Sequence, residues 1–245
     1  MTRRVRLGML TPSSNTVLEP VTTAMLAGLP EVSAHFGRFR VTEIALSEDA
    51  LGQFEDAPIL AAAELLSHAR VDAIAWNGTS SGWLGFDVDE RLCRRITEAT
   101  GIPATTSMLA LNEILASMGV RRLGLVTPYT DDVQARLAAN YEALGYVCAA
   151  ERHLGLRDNF SFSEVQDGPL RDMARAVVAE GAEAVAVVCT NLRAAPLAEA
   201  LEAELGVPVL DSIATAVWGS LRLAGLDPRR VSGWGRLFQG VRHRF

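Results

Sequence analysis

Along the chain, short apolar runs rich in Val, Ile, Leu and Ala alternate with longer stretches in which apolar positions recur every three or four residues. A short apolar run suits a strand covered on both faces, and the helical spacing suits an amphipathic connector. The alternation therefore predicts an α/β protein with parallel sheets. Strands are expected at residues 5–11, 39–44, 71–77, 103–105, 122–127, 146–153, 184–189 and 207–210, with helices such as 57–69, 131–144 and 197–205 between them.

The pattern also repeats. Gly101-Ile102-Pro103 followed by Ser107 is matched by Gly206-Val207-Pro208 followed by Ser212, an offset of 105 residues. The segment from Val71 to Ser80 resembles that from Ala182 to Asn191, offset by 111. Gly-x-Pro before a strand is common, but two matching blocks in the same order predict two similar halves. Each half would hold a parallel sheet flanked by helices, the two related by a pseudo-twofold with the site between them. The expected boundary lies near 118–121, giving a first half of 1–118, rejoined by 213–245, and a second half of 119–212.

Composition narrows the chemistry. The 245 residues are 49% hydrophobic and carry a net charge of −6, and all 23 basic residues are arginines. Without lysine, Schiff-base and pyridoxal-phosphate chemistry and Walker-type nucleotide binding are excluded. An arginine-rich codon bias accounts for the missing lysines; the exclusion holds regardless. An acidic balance argues against a nucleic-acid partner. The basic groups at Arg3, Arg4 and Arg6 and at Arg242 and Arg244 read as solvated chain ends. No apolar run reaches membrane-span length and no signal-peptide core is present, so the expectation is a cytoplasmic chain with no membrane partner. Cys93, Cys148 and Cys189 are odd in number and lack a CxxC spacing, which suits a reducing compartment and predicts no metal site. No cofactor is expected. A homo-oligomer is compatible with the sequence, which does not set the number of subunits.

In parallel α/β sheets ligands bind beyond the carboxyl ends of the strands. The segments expected there are Pro12-Ser13-Ser14-Asn15-Thr16, Gly78-Thr79-Ser80-Ser81, Pro128-Tyr129-Thr130 and Cys189-Thr190-Asn191. Each supplies hydroxyls or amides ahead of a helix N-terminus, a setting that attracts anions. Any one alone reads first as a helix cap; four together describe a pocket for a small carboxylate. Cys189 is expected near a helix starting around Pro196, where the helix terminus would lower its pKa, and the competing reading is a buried small hydrophobe. A rival motif is Gly78-Thr79-Ser80-Ser81-Gly82, which fits the G-x-S-x-G nucleophile elbow and would make Ser80 a hydrolase nucleophile with His153 or His243.

Together these segments resemble the aspartate/glutamate racemase superfamily, in the branch of maleate cis-trans isomerase and arylmalonate decarboxylase. The resemblance runs over nearly the whole chain. It rests on Pro12 to Thr16, Gly78-Thr79-Ser80, the stretch from Met118 to Asp132, Asp158-Asn159, Cys189, Gly206 to Val209 and, more weakly, Gly235 to Phe238. It implies two facing positions, one at a strand end of each half, that hold a pair of cysteines in the racemases. Here the second is Cys189 and the first is Gly78, so two-base racemisation is not expected. Maleate isomerase is similar at Asn15, Tyr129, Asn159 and Cys189, but uses the first cysteine as its nucleophile, and Gly78 departs from that. Arylmalonate decarboxylase shows the same glycine and cysteine pairing. That likeness implies that Thr79, Ser80 and Tyr129 hold one carboxylate and stabilise an enediolate, which Cys189 protonates. It also implies an apolar pocket for the departing carboxylate, where Asn159 falls instead. The ectoine-utilisation protein of the superfamily is similar around Trp76 to Ser80 and Cys189 to Leu192.

The expected function is a cofactor-independent isomerase or decarboxylase of a small carboxylate or dicarboxylate. A maleate isomerase-like reaction through one cysteine stands level with an arylmalonate decarboxylase-like one; an ectoine-degradation protein, a non-catalytic carboxylate binder and a Ser80 hydrolase are the alternatives. Cys189 and Tyr129 are the expected catalytic residues, with Pro12, Ser14, Asn15, Gly78, Thr79, Ser80, Asn159 and Thr190 around the substrate. Neutral donors, with only Arg193 nearby among the cations, would leave the Cys189 thiol free to give up a proton.

Overall fold

The computed structural model describes residues 3–240. The first part of the chain runs β1 (Val5–Pro12), α1 (Leu18–Leu26), β2 (Val32–Phe39), α2 (Glu48–Gly52), α3 (Asp56–His68), β3 (Ala73–Trp76), α4 (Ser81–Leu84), α5 (Phe86–Thr100), β4 (Ala104–Thr106) and α6 (Ser107–Met118). The second runs β5 (Arg122–Thr127), α7 (Asp131–Ala143), β6 (Val147–His153), α8 (Asp167–Ala179), β7 (Ala184–Val187), α9 (Ala198–Leu205), β8 (Val209–Asp211) and α10 (Ser212–Leu223). They form two four-stranded parallel sheets of identical plan, β2-β1-β3-β4 and β6-β5-β7-β8.

The sequence repeat has a physical origin in this plan. Gly101 ends α5 at φ 72° and Gly206 ends α9 at φ 77°, a left-handed cap that favours glycine, and the proline two residues on prevents the helix from resuming. The serine after each following strand then ties it to its neighbour: Ser107 Oγ donates to the Gly78 carbonyl at 2.5 Å, and Ser212 Oγ to the Val187 carbonyl at 2.8 Å. The residue before each serine caps the next helix, Thr106 accepting from Leu109 N–H and Asp211 from Ile213 and Ala214 N–H. Residues 212–221 of α10 are all buried, as a helix apolar on every side must be, and it packs on α6, β3 and β4.

The second strand corrects the expectation of 39–44. It spans Val32–Phe39, pairing with β1 from Val5↔Val32 to Pro12↔Phe39. As an edge strand it is only partly covered and carries Ser33, His35 and Arg38, so it lacks the apolar run of a central strand. The apolar residues Val41 and Ile44 belong to the loop after it and are buried at the mouth of the site. There Asn159 N–H donates to the Thr42 carbonyl and Ile44 N–H to the Arg157 carbonyl, each at 2.9 Å, and Glu43 bridges Asp158. This backbone strap joins the two halves. No helix among the described residues is long and apolar enough to cross a membrane. Arg242, His243 and Arg244 lie outside the described residues.

Candidate active site

The segments after β1, β3, β5 and β7 converge on a cavity of about 20 Å³ between the two sheets, space for about one water molecule. Pro12, Gly78, Thr79, Ser80, Tyr129, Asn159, Cys189 and Thr190 line it, and Val41, Ile44, Phe54, Trp76 and Trp83 form its apolar wall. No charged side chain is among them. Arg193 lies elsewhere, lining a surface hollow with Gln166 and Asp167.

Tyr129 sits where β5 turns towards α7, and its hydroxyl lies 2.6 Å from Thr79 Oγ1 in the other half. The Cys189 thiol lies close enough to act on its charge, and both residues line the cavity. Burial, with the nearby thiol, holds the phenol well above its ordinary 10, so at neutral pH Tyr129 keeps its proton as a donor. Its ring meets Trp83 and Phe162 edge-on, with centroids 5.0 and 5.9 Å away, which fixes its direction.

Cys189 departs from the expected lowered pKa. Burial pushes its thiol up to about 12, against the pull of Asn191 N–H and the Tyr129 hydroxyl, with Asp211 adding to the rise. The expected helix terminus is too distant to reverse this, because α9 begins only at Ala198, after a 3₁₀ turn at Ala195–Leu197. A helix dipole acts within about one turn. Asn191 N–H reaches the sulfur at 3.3 Å. Cys189 is thus held as a protonated thiol on the cavity wall.

Ser14 and Asn15 do not line the cavity. The Asn15 side chain takes the helix-cap role: its Oδ1 accepts from Val17 and Leu18 N–H, and its Nδ2 donates to the carbonyl and hydroxyl of Thr190. Ser14 Oγ donates to the Val41 carbonyl at 2.6 Å and accepts from Asn159 Nδ2 at 2.7 Å. Both residues stand behind the wall and join the halves. The elbow geometry is not formed either. Ser80 has ordinary helical angles, φ −60° and ψ −32°, and His153 is engaged by Glu151 and Asp131 at 2.7 and 2.9 Å and does not line the cavity that Ser80 lines. His243 lies outside the described residues.

The apolar wall went unread in the sequence. Trp76 and Trp83 flank Gly78-Thr79-Ser80 closely, and two large aromatics so near the polar triplet were the available signal. Val41 and Ile44 gave none, being indistinguishable from strand residues.

The chain matches the arylmalonate decarboxylase family over residues 8–238. It is 33% identical to the arylmalonate decarboxylase of Bordetella bronchiseptica over 71% of this chain and 76% of that protein. With the maleate isomerase of Pseudomonas putida KT2440 it shares 28% identity over 98% of this chain and all of that one. Its fold follows that of the maleate isomerase of Pseudomonas putida S16 bound to maleate, with a TM-score of 0.89 over 97% of this chain and 98% of the other at 22% identity. Both curated relatives are enzymes, and the chain belongs to the arylmalonate decarboxylase family.

Proposed function

We propose that the protein is a cofactor-independent lyase that decarboxylates a small substituted malonate through an enediolate, with Cys189 as its single proton donor. The observation that carries this reading is the composition of the cavity lining. The lining combines the hydroxyl-bearing Thr79, Ser80 and Tyr129 with the apolar Val41, Ile44, Phe54, Trp76 and Trp83, and no charged side chain is among them. A carboxylate held by the hydroxyls keeps hydrogen bonds in place of water. A second carboxylate pressed on the apolar wall loses its solvation without compensation, and leaving as neutral carbon dioxide relieves that cost.

In this reading the carbon–carboxylate bond breaks and its electron pair passes into the retained carboxylate, giving an enediolate. Tyr129 and Thr79, preorganised by their mutual hydrogen bond, stabilise the growing negative charge. Cys189 then gives its proton to the α-carbon, and the resulting thiolate recovers one from solvent. A thiol protonated at neutral pH suits this step and disfavours attack as a thiolate. Asn159, expected as a grip for the second carboxylate, turns its amide N–H to Ser14.

A second reading, isomerisation of a dicarboxylate such as maleate, is favoured by the shared length and fold of the maleate isomerases. The two part in a proton-NMR assay in deuterated water. Decarboxylation turns a monosubstituted malonate into a monocarboxylate with deuterium at the α-carbon. Conversion of maleate to fumarate with malonates untouched would replace the lyase reading with the isomerase one.

A further inference from the structure

The shared strand order makes β3 and β7 counterparts. Two residues beyond the last of each comes a position lining the cavity: Gly78 after Trp76 and Cys189 after Val187. The two pairs are complementary in volume. In the second half a valine ends the strand and a thiol projects beyond it. In the first half a tryptophan ends the strand, and a Cβ placed on Gly78 would lie 1.9 Å from Trp76 Cζ2 and 2.2 Å from Cε2. Atoms cannot approach that closely, so the indole already fills the space of a side chain at 78. It is held there, 1% exposed and tilted on the Phe39 ring with centroids 4.9 Å apart.

We propose that Trp76 is the specificity-determining residue of this site: its indole closes the face of the cavity opposite the Cys189 thiol, so that a planar intermediate receives its proton from the Cys189 side alone. The bulk of Trp76, and not only the missing sulfur at 78, keeps the site one-sided. The facial role rests on the reading of Cys189 as proton donor; the steric conflict between Trp76 and any side chain at 78 does not.

The test recreates the second half's pair in the first. Gly78→Cys, Trp76→Val and the double variant are compared with the parent protein by melting temperature, which needs no substrate. Gly78→Cys alone lowers the melting temperature by roughly 5 °C or more, the usual scale for overpacking in a chain of this size. In the Trp76→Val background the same substitution costs less than half as much, because the two positions share one volume. Equal costs in both backgrounds, or none in the parent, would overturn the steric claim. The second readout is the product from an α-methyl, α-aryl malonate, and α-proton exchange of each 2-arylpropionate enantiomer in deuterated water. The parent gives one enantiomer without racemisation, while the double variant racemises the product and Gly78→Cys alone does not. A racemic product from the parent, or racemisation gained by Gly78→Cys alone, would overturn the facial role. Absence of turnover with every malonate would remove the decarboxylase reading and the facial role with it, leaving the melting temperatures to decide where the indole sits.

Discussion

Tyr129 and Thr79 share a 2.6 Å hydrogen bond across the boundary between the two halves, and the same phenol neighbours the Cys189 thiol. In the proposed reaction one hydroxyl would therefore align the carboxylate grip with the proton donor. Tyr129→Phe keeps the ring packing and removes that link. Turnover is expected to fall roughly 10²–10³-fold, the scale for loss of one preorganised donor, while stability in urea falls by about 1 kcal/mol as buried Thr79 loses its partner. A variant as active as the parent would remove Tyr129 from the reaction.

Cys189 should behave as an unreactive thiol at neutral pH. With burial holding its pKa near 12, alkylation by iodoacetamide at pH 8 should run roughly 10³-fold slower than for a free thiol, because only the thiolate attacks. Cys93→Ser and Cys148→Ser in the background isolate the signal. Cys189→Ala should abolish turnover and retain ligand binding; a reactive thiolate already present at pH 7 would contradict the acid role.

Asp211 should shape the dependence of stability on pH. Its Oδ1 caps α10, its Oδ2 is buried without a hydrogen-bond partner, and burial raises its pKa from 3.8 to about 7. The folded chain thus binds this proton more tightly than the unfolded one. The stabilising contribution is complete below about pH 4 and is lost as pH rises through about 7. Asp211→Asn removes the titration, so the difference in unfolding free energy between variant and parent should shift in the variant's favour as pH rises from 4 to 8. A difference independent of pH would show that Asp211 does not titrate in this range.

Asn15 is expected to act on assembly more than on chemistry. Its side chain joins the start of α1 to Thr190 through four hydrogen bonds. Asn15→Ala should cost about 1–3 kcal/mol in urea unfolding, with a smaller effect on turnover than Tyr129→Phe. A catalytic loss at unchanged stability would return Asn15 to the substrate.

Where an element was a short apolar run with punctuated ends, the sequence was informative. Residues 122–127 form a strand as expected, a short apolar run between Arg122 and the polar turn that starts α7. The Gly-x-Pro blocks located both helix ends and the pseudo-twofold, because a left-handed cap demands glycine locally. Properties set by distant neighbours could not be read. Val41 and Ile44 are apolar because they wall a cavity, not because they belong to a strand. Cys189 could be placed from the repeat, yet the direction of its pKa depends on desolvation by residues far away in sequence. Trp76 was read only as the end of a strand, and its conflict with a side chain at 78 is set by where its indole packs in the folded chain.

The strap across the mouth bears on the timing of turnover. With residues 42–44 hydrogen-bonded to 157–159 and a space of only about 20 Å³ at the site, the described form has no room for a substrate. Admitting one requires the residues around the cavity to move, and parting the two backbone hydrogen bonds of the strap is one way to widen it. Turnover by that route would include an opening and a reclosing of the seam between the halves. Such loop motions occupy microseconds to milliseconds, and they would place a physical ceiling on the rate that no improvement in the chemical step could lift.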